Sequence, residues 1–145
     1  MTAGDRGAGQ VLRVELAVRV KWYDVDAAGI VHNAVYIRWL EDLRQQILDD
    51  HLPIVDQLAA GFAPVLAHTE IDYRRPITLA DAVRSVMWIP ELGETRWTAR
   101  AEFLIDDGPP AAVAMQWGVF FDLKTRRPLP LPAALRAAWE RAAGG

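Results

Sequence analysis

The spacing of apolar residues changes twice along this chain, and those changes limit the folds open to it. From Leu12 to Trp22 every even position is apolar (Leu12, Val14, Leu16, Val18, Val20, Trp22), with Arg13, Glu15, Arg19 and Lys21 between them. A period of two describes a half-buried strand. Asp24-Val25-Asp26-Ala27-Ala28-Gly29 breaks the pattern, and its carboxylates and glycine suit a tight loop. Beyond it the period becomes helical. Tyr36, Leu40, Leu43 and Ile47 form one stripe, and Ile37 and Leu48 widen it into the face of a helix packed deeply on a sheet. The spacing predicts this helix over 33–50, with Asn33 as its N-cap. A shorter helix, 54–60, ends at Gly61.

The period then returns to two. Val65, Ala67, Thr69, Ile71 and Tyr73 alternate with Leu66, His68, Glu70, Asp72 and Arg74, and further strands are expected at 82–89, 97–105 and 111–122. In the last, Val113, Met115, Trp117, Val119 and Phe121 share one face. The connections Glu91-Leu92-Gly93-Glu94 and Asp106-Asp107-Gly108-Pro109-Pro110 are short, so the strands must be antiparallel. Prolines 128, 130 and 132 hold the tail extended before a terminal helix over 133–143. The sum is an α+β fold, a curved antiparallel sheet covering a long helix. One domain is expected over 1–145, with residues 1–10 flexible and 128–145 a C-terminal extension. A single open sheet leaves edges and one uncovered face, and a chain with six Trp is expected to cover them with a partner subunit, as a homodimer or homotetramer.

Composition removes several function classes. At 52% hydrophobic and 24% charged residues the bulk of the chain is not disordered, and a net charge of −3 offers no field for a polyanion, so nucleic acid is not an expected partner. Without cysteine there is no disulfide, thiolate metal site or thiol nucleophile, which suits a reducing compartment. No apolar run approaches a membrane span and the N-terminus lacks a signal-peptide core, so a cytoplasmic location is expected. His32, His51 and His68 lack the short spacings of a metal site, and neither metal nor bound cofactor is expected. Gly-x-Ser-x-Gly and Gly-rich phosphate loops are absent too. A nucleotide would therefore be held superficially by cations, for which Arg74-Arg75 and Lys124, Arg126 and Arg127 are the available clusters.

The chemistry concentrates between Trp22 and Tyr36. Two carboxylates, Asp24 and Asp26, stand at a strand end, and a helix begins about seven residues later, so an acid and free backbone N–H groups can face one cleft. That pairing suits acyl transfer, with the N–H groups polarising a carbonyl and the carboxylate attacking it or orienting a water. The spacing is equally met if the acids merely bond loop amides and the helix start is simply capped. Glu41 projects beside Ile37 and Leu48, where a half-buried carboxylate could place a water near Asp26 or pair with Arg44 three residues on.

The segment resembles the signature of the hotdog-fold acyl-CoA thioesterases, in particular the 4-hydroxybenzoyl-CoA thioesterase branch and its Tol-Pal-associated relatives. Asp24, Asp26, Gly29, Ile30, Val31, Tyr36 and Glu41 carry the resemblance. It implies a curved sheet around a long central helix, a homo-oligomer with sites shared between subunits, and acyl-CoA as substrate with no cofactor. It also implies that Asp26 is the catalytic carboxylate, as nucleophile or general base, and that the backbone N–H of Asn33 holds the thioester oxygen. Glu41 joins them as the acid on the helix. Gly29, His32, Tyr36, Arg74 and Arg75 are the candidate substrate contacts. Val25 and the His32-Asn33 pair depart from the usual residues, which leaves the acyl group open. Hydrolysis of acyl groups from acyl carrier protein, or silent acyl-CoA binding, would use the same scaffold.

Overall fold

The structure is a computed structural model that describes residues 9–145, so most of the stretch 1–10 expected to be flexible lies outside the described residues. In chain order the elements are β1 (Val14–Arg19), α1 (Asn33–His51), α2 (Ile54–Ala60), β2 (Phe62–Tyr73), β3 (Ala82–Leu92), β4 (Trp97–Ile105), β5 (Pro110–Asp122), β6 (Pro128–Leu129) and α3 (Ala133–Gly144). Every pair is antiparallel, in the order β1-β3-β4-β5-β2 with β6 at the far end of β5; short connections join β3 to β4, β4 to β5 and β5 to β6, whereas β1–β3 and β2–β5 pair across long stretches of chain. The α+β class is as the periodicity requires.

The first ladder is shorter than its alternation. Leu12 has a φ of 56° and lies before β1, and Trp22–Asp24 form a 3-10 turn in which Trp22 is 78% exposed. Asp24 causes the turn: its backbone N–H donates to the Lys21 carbonyl (2.8 Å) and its carboxylate accepts the Lys21 N–H (2.9 Å), so the chain leaves the sheet before Trp22 can pair.

Helix α1 begins as expected in place but not in capping. His32 is the N-cap and Asn33 the first helical residue, and the N-cap side chain makes no capping bond. The His32 N–H is tied to the Asp24 carbonyl at 2.9 Å, which holds residue 32 extended and makes it the cap, so the helix starts one position earlier than the Asn33 cap predicts. The buried face is Val35, Tyr36, Trp39, Leu40, Leu43 and Ile47. Ile37, expected on that face, is 37% exposed. The helix backbone packs on β1 and β3, and this turns the buried stripe toward Val35 and Trp39 and away from Ile37.

Strand β2 carries a bulge between Leu66 and His68, so its parity reverses there. Leu66 packs on the core before the bulge and Ile71 after it, although simple alternation puts these two residues on opposite faces. In β5 the faces are opposite to a size-based guess. Ala112, Ala114, Gln116 and Phe120 are buried with Gly118 against the helix side, and Val113, Met115, Trp117, Val119 and Phe121 are half-buried on the other. Gly118 is obligatory: a Cβ there would collide with the Val65 carbonyl oxygen and stand 2.5 Å from the Trp97 ring.

The C-terminal extension is part of the core. Leu131, Leu135 and Ala138 are buried, Trp139 Nε1 donates to the Ile89 carbonyl (2.8 Å) and Leu131 N–H to that of Glu94 (3.0 Å). Among the described residues no helix is long and apolar enough to cross a membrane.

Candidate active site

The loop between β1 and α1 is rigid because its own polar groups close it. Asp26 N–H donates to the Ile30 carbonyl (2.9 Å), Gly29 N–H to the Asp26 carbonyl (2.9 Å), and Val31 N–H to the carbonyl of Ile77 (2.9 Å). Gly29 takes a φ of 77°, a conformation that costs a residue with a Cβ. The two acids of the loop play different parts. Asp24 is buried, and its carboxylate is spent on the Lys21 N–H. Asp26 is exposed; its Oδ1 accepts the N–H groups of Ala28 (2.9 Å) and Ile30 (3.1 Å), and its Oδ2 has no protein partner among the described residues. The bonds to loop amides allowed by the spacing therefore exist, and they orient one oxygen while leaving the other open.

Where the loop ends, α1 presents the N–H groups of its first turn. Val35 N–H is taken by the His32 carbonyl (3.0 Å), whereas those of Asn33 and Ala34 precede any intrahelical acceptor. A pocket of about 250 Å³ opens beside them, walled by Ile30, Val31, Asn33, Tyr36, Tyr73, Arg74 and Arg75. The fold thus brings Asn33, Tyr36, Arg74 and Arg75 together, with Asp26 and Gly29 on the loop that supplies Ile30 and Val31. His32 is exposed at the helix start and does not line this pocket.

Tyr36 is a fixed wall. It meets Tyr73 edge-on at 5.0 Å and Phe103 at 5.4 Å. Burial pushes its phenol up to about 12, the neighbouring Tyr73 adds to the rise, and a backbone hydrogen bond with Ile77 opposes it. Near neutral pH the phenol is a neutral group and not a base. Arg74 reaches Asp72 at 3.3 Å, and Arg75 donates to the carbonyls of Pro109 (3.0 Å) and Ile105 (3.4 Å), which fixes it on the β4–β5 turn.

Of the two readings of Glu41 the ion pair with Arg44 is the one the structure shows. Its side chain is 55% exposed and not half-buried, and it lies about 12 Å along the helix from Asn33. The rotation that exposes Ile37 exposes Glu41, four residues on, with it. The two candidate cation clusters lie at opposite ends of the sheet. Tyr73 pairs with Ala112 and Phe62 with Asp122, so Lys124, Arg126 and Arg127 stand roughly 33 Å from Arg74 and Arg75, at the other end of the strands. Among the described residues, Arg74 and Arg75 are the cations that adjoin the pocket. His68 faces Glu70 at 3.4 Å and stacks on Trp117, and no group of three metal-ligating side chains occurs among the described residues.

The reading of the sequence missed a buried polar chain. Gln116 is 1% exposed; its Oε1 accepts Arg44 Nη1 at 2.6 Å and its Nε2 donates to Thr69 Oγ1 at 2.9 Å. The available signal was one glutamine in register with alanine, glycine and phenylalanine on β5.

Comparison with known proteins agrees with this geometry. The model of the "Thioesterase-like superfamily" matches residues 20–139. The chain is 29% identical to the long-chain acyl-CoA thioesterase FadM of Escherichia coli over 129 residues, 88% of this chain and 98% of that protein. Among solved structures, the probable thioesterase YbaW of Escherichia coli superposes with a TM-score of 0.78 at 27% identity, over 89% of this chain and 98% of the other. The protein SAV2348 of Staphylococcus aureus, solved in complex with CoA, gives 0.84 at 15% identity, over 90% and 83%. With the family match running through the loop, the helix and every strand from β2 onward, the chain belongs to the thioesterase-like superfamily.

Proposed function

We propose that this chain hydrolyses acyl-CoA thioesters to the free acid and CoA. One observation carries the reading: a carboxylate with one oxygen pinned by two backbone N–H groups and the other open, a few residues before a helix start with unclaimed N–H groups. The Asn33 N–H holds the thioester oxygen as negative charge develops on it. Asp26 Oδ2 either attacks the carbonyl carbon, giving an anhydride that water then opens, or takes a proton from the water that attacks directly. In both routes the carbon–sulfur bond breaks and the CoA thiolate departs and is protonated. Tyr36 walls the reacting group, and Arg74 and Arg75 meet the CoA phosphates in exposed contacts. Glu41 is left out of the chemistry on account of its distance and its pairing with Arg44.

The relationship to a long-chain acyl-CoA thioesterase supports an acyl-CoA substrate, and the resemblance to the 4-hydroxybenzoyl-CoA and Tol-Pal-associated branch supports the same chemistry. The reading includes a cytoplasmic setting and self-association along the free edge of β2, whose twelve residues pair on one side only.

The test is thiol release across short, long and aromatic acyl-CoA esters, with the assembly followed by sedimentation. Asp26→Ala is expected to lose about 10²-fold or more in kcat while keeping its fold. Near-parent turnover by Asp26→Ala at saturating substrate would sink the carboxylate mechanism.

A further inference from the structure

The side of α1 turned away from the Asn33 pocket borders a second opening. Helical spacing puts Val35, Arg38, Trp39 and Asp42 on that side, opposite Asn33 and Tyr36. The wall facing them is β1, which lies at the other edge of the sheet from β2. Between helix and strand runs a groove of about 640 Å³, a volume suited to a small molecule. It shares no lining residue with the pocket at Asn33.

The groove has an unfinished apolar floor. Leu16 pairs with Ser85 and Val18 with Val83, and the exposures of those partners, 1% and 2%, place this face of β1 on the core side. Leu16 and Val18 are nevertheless only half-buried, and Val35 and Trp39 stand across from them without closing the gap. The Ser85 hydroxyl already donates to the Leu16 carbonyl (2.9 Å), so the floor offers an occupant little beyond hydrocarbon.

Charge is sorted along the groove. The Asp24 carbonyl holds the His32 N–H, so the chain leaves β1 beside the start of α1, and Arg19 and Lys21 stand at that end. Arg38, in the second turn of the helix, joins them from the other wall. Among the described residues none of the three has a carboxylate partner. The acids of the walls are placed otherwise. Asp24 is occupied by the Lys21 N–H, and Asp42 and Glu41 lie farther along α1, Glu41 paired with Arg44. The helix advances about 10 Å from Val35 to Asp42, which is the length of floor between the cationic and acidic ends.

We propose that this groove binds a monocarboxylate with a hydrocarbon body, its head group among Arg19, Lys21 and Arg38 and its apolar part over Leu16, Val18, Val35 and Trp39. The acids at the far end repel a second anionic group, so the ligand carries its charge at one end. The inference does not depend on the thioesterase reading, because no residue of the Asn33 pocket takes part.

The experiment is calorimetric titration of decanoate, below its micelle concentration, into the parent chain, Asp26→Ala, Val18→Trp and the double variant Lys21→Glu/Arg38→Glu. Saturable binding by the parent is expected, weakening as salt rises. The double variant is expected to bind about tenfold more weakly or worse, because it turns two attractions into repulsions, and Val18→Trp should do the same by filling the floor. Asp26→Ala is expected to bind as the parent does. Decyltrimethylammonium and inorganic phosphate, each lacking one half of the ligand, should not bind. If Val18→Trp does not fold, the two surface charges carry the test. Equal affinity in the parent and the double variant overturns the proposal, as does a parent that takes up no decanoate or binds decyltrimethylammonium as well. Binding lost in Asp26→Ala but kept in the double variant overturns it too, by assigning the carboxylate to the reacting pocket.

Discussion

The two faces of β5 obey opposite rules. Toward the helix the strand offers Ala112, Ala114, Gln116, Gly118 and Phe120; away from it stand Val113, Met115, Trp117, Val119 and Phe121. The larger apolar set is the less buried one. Size, more than hydropathy, decides which face the core takes, because a helix and a flat-lying Trp97 leave little room above the inner positions. The outer side chains are sheltered differently, by neighbours in the sheet: Arg96 lies over the Trp117 ring at 3.6 Å, and His68 stacks beside it.

If the inner face is limited by space, the largest loss follows from adding atoms there. Gly118→Val is expected to cost about 3 kcal/mol or more, since the atoms it meets belong to a backbone carbonyl and a packed indole. Urea unfolding measures this, and a Gly118→Val chain as stable as the parent would remove the size argument. On the outer face a change of chemistry should matter less. Met115→Lys is expected to cost about 1 kcal/mol or less in the same assay, and a loss equal to that of Gly118→Val would mean the two faces do not differ.

A third test probes the inner side through Tyr36. Its phenol is pushed up to about 12. A group whose folded value lies above its unfolded one contributes stability that is complete below the unfolded value, about 10, and is lost as pH rises through the folded one. The melting temperature of the parent should therefore fall between about pH 10 and pH 12, and more steeply than that of Tyr36→Phe. Parallel curves for the two proteins would show that Tyr36 titrates as it does when unfolded.

Much of this fold was readable because periodicity survives packing. The spans of α1, α2, β4 and α3 follow from spacing, turn residues and Gly61. What periodicity cannot give is a phase. Both faces of β5 contain apolar residues, so alternation alone could not say which one the helix covers, and the bulge near His68 reverses the parity of β2 where no turn residue announces it. The same limit explains the site. Asp26, Asn33, Tyr36 and Arg74-Arg75 were legible because a local motif and a strand end place them, whereas Glu41 depended on the rotation of α1, which β1 and β3 decide. Gln116 and Arg44 meet across 72 residues, a separation at which spacing carries no signal.

The docking of α3 also orders events in time. Synthesis delivers the chain from its N-terminus, and Trp139 bonds the carbonyl of a residue made fifty positions earlier. Until α3 has docked, Ile89, Leu92 and Phe120 lack the cover that Leu135 gives them. A chain truncated before α3 would expose that apolar surface, which is what chaperones and proteases recognise.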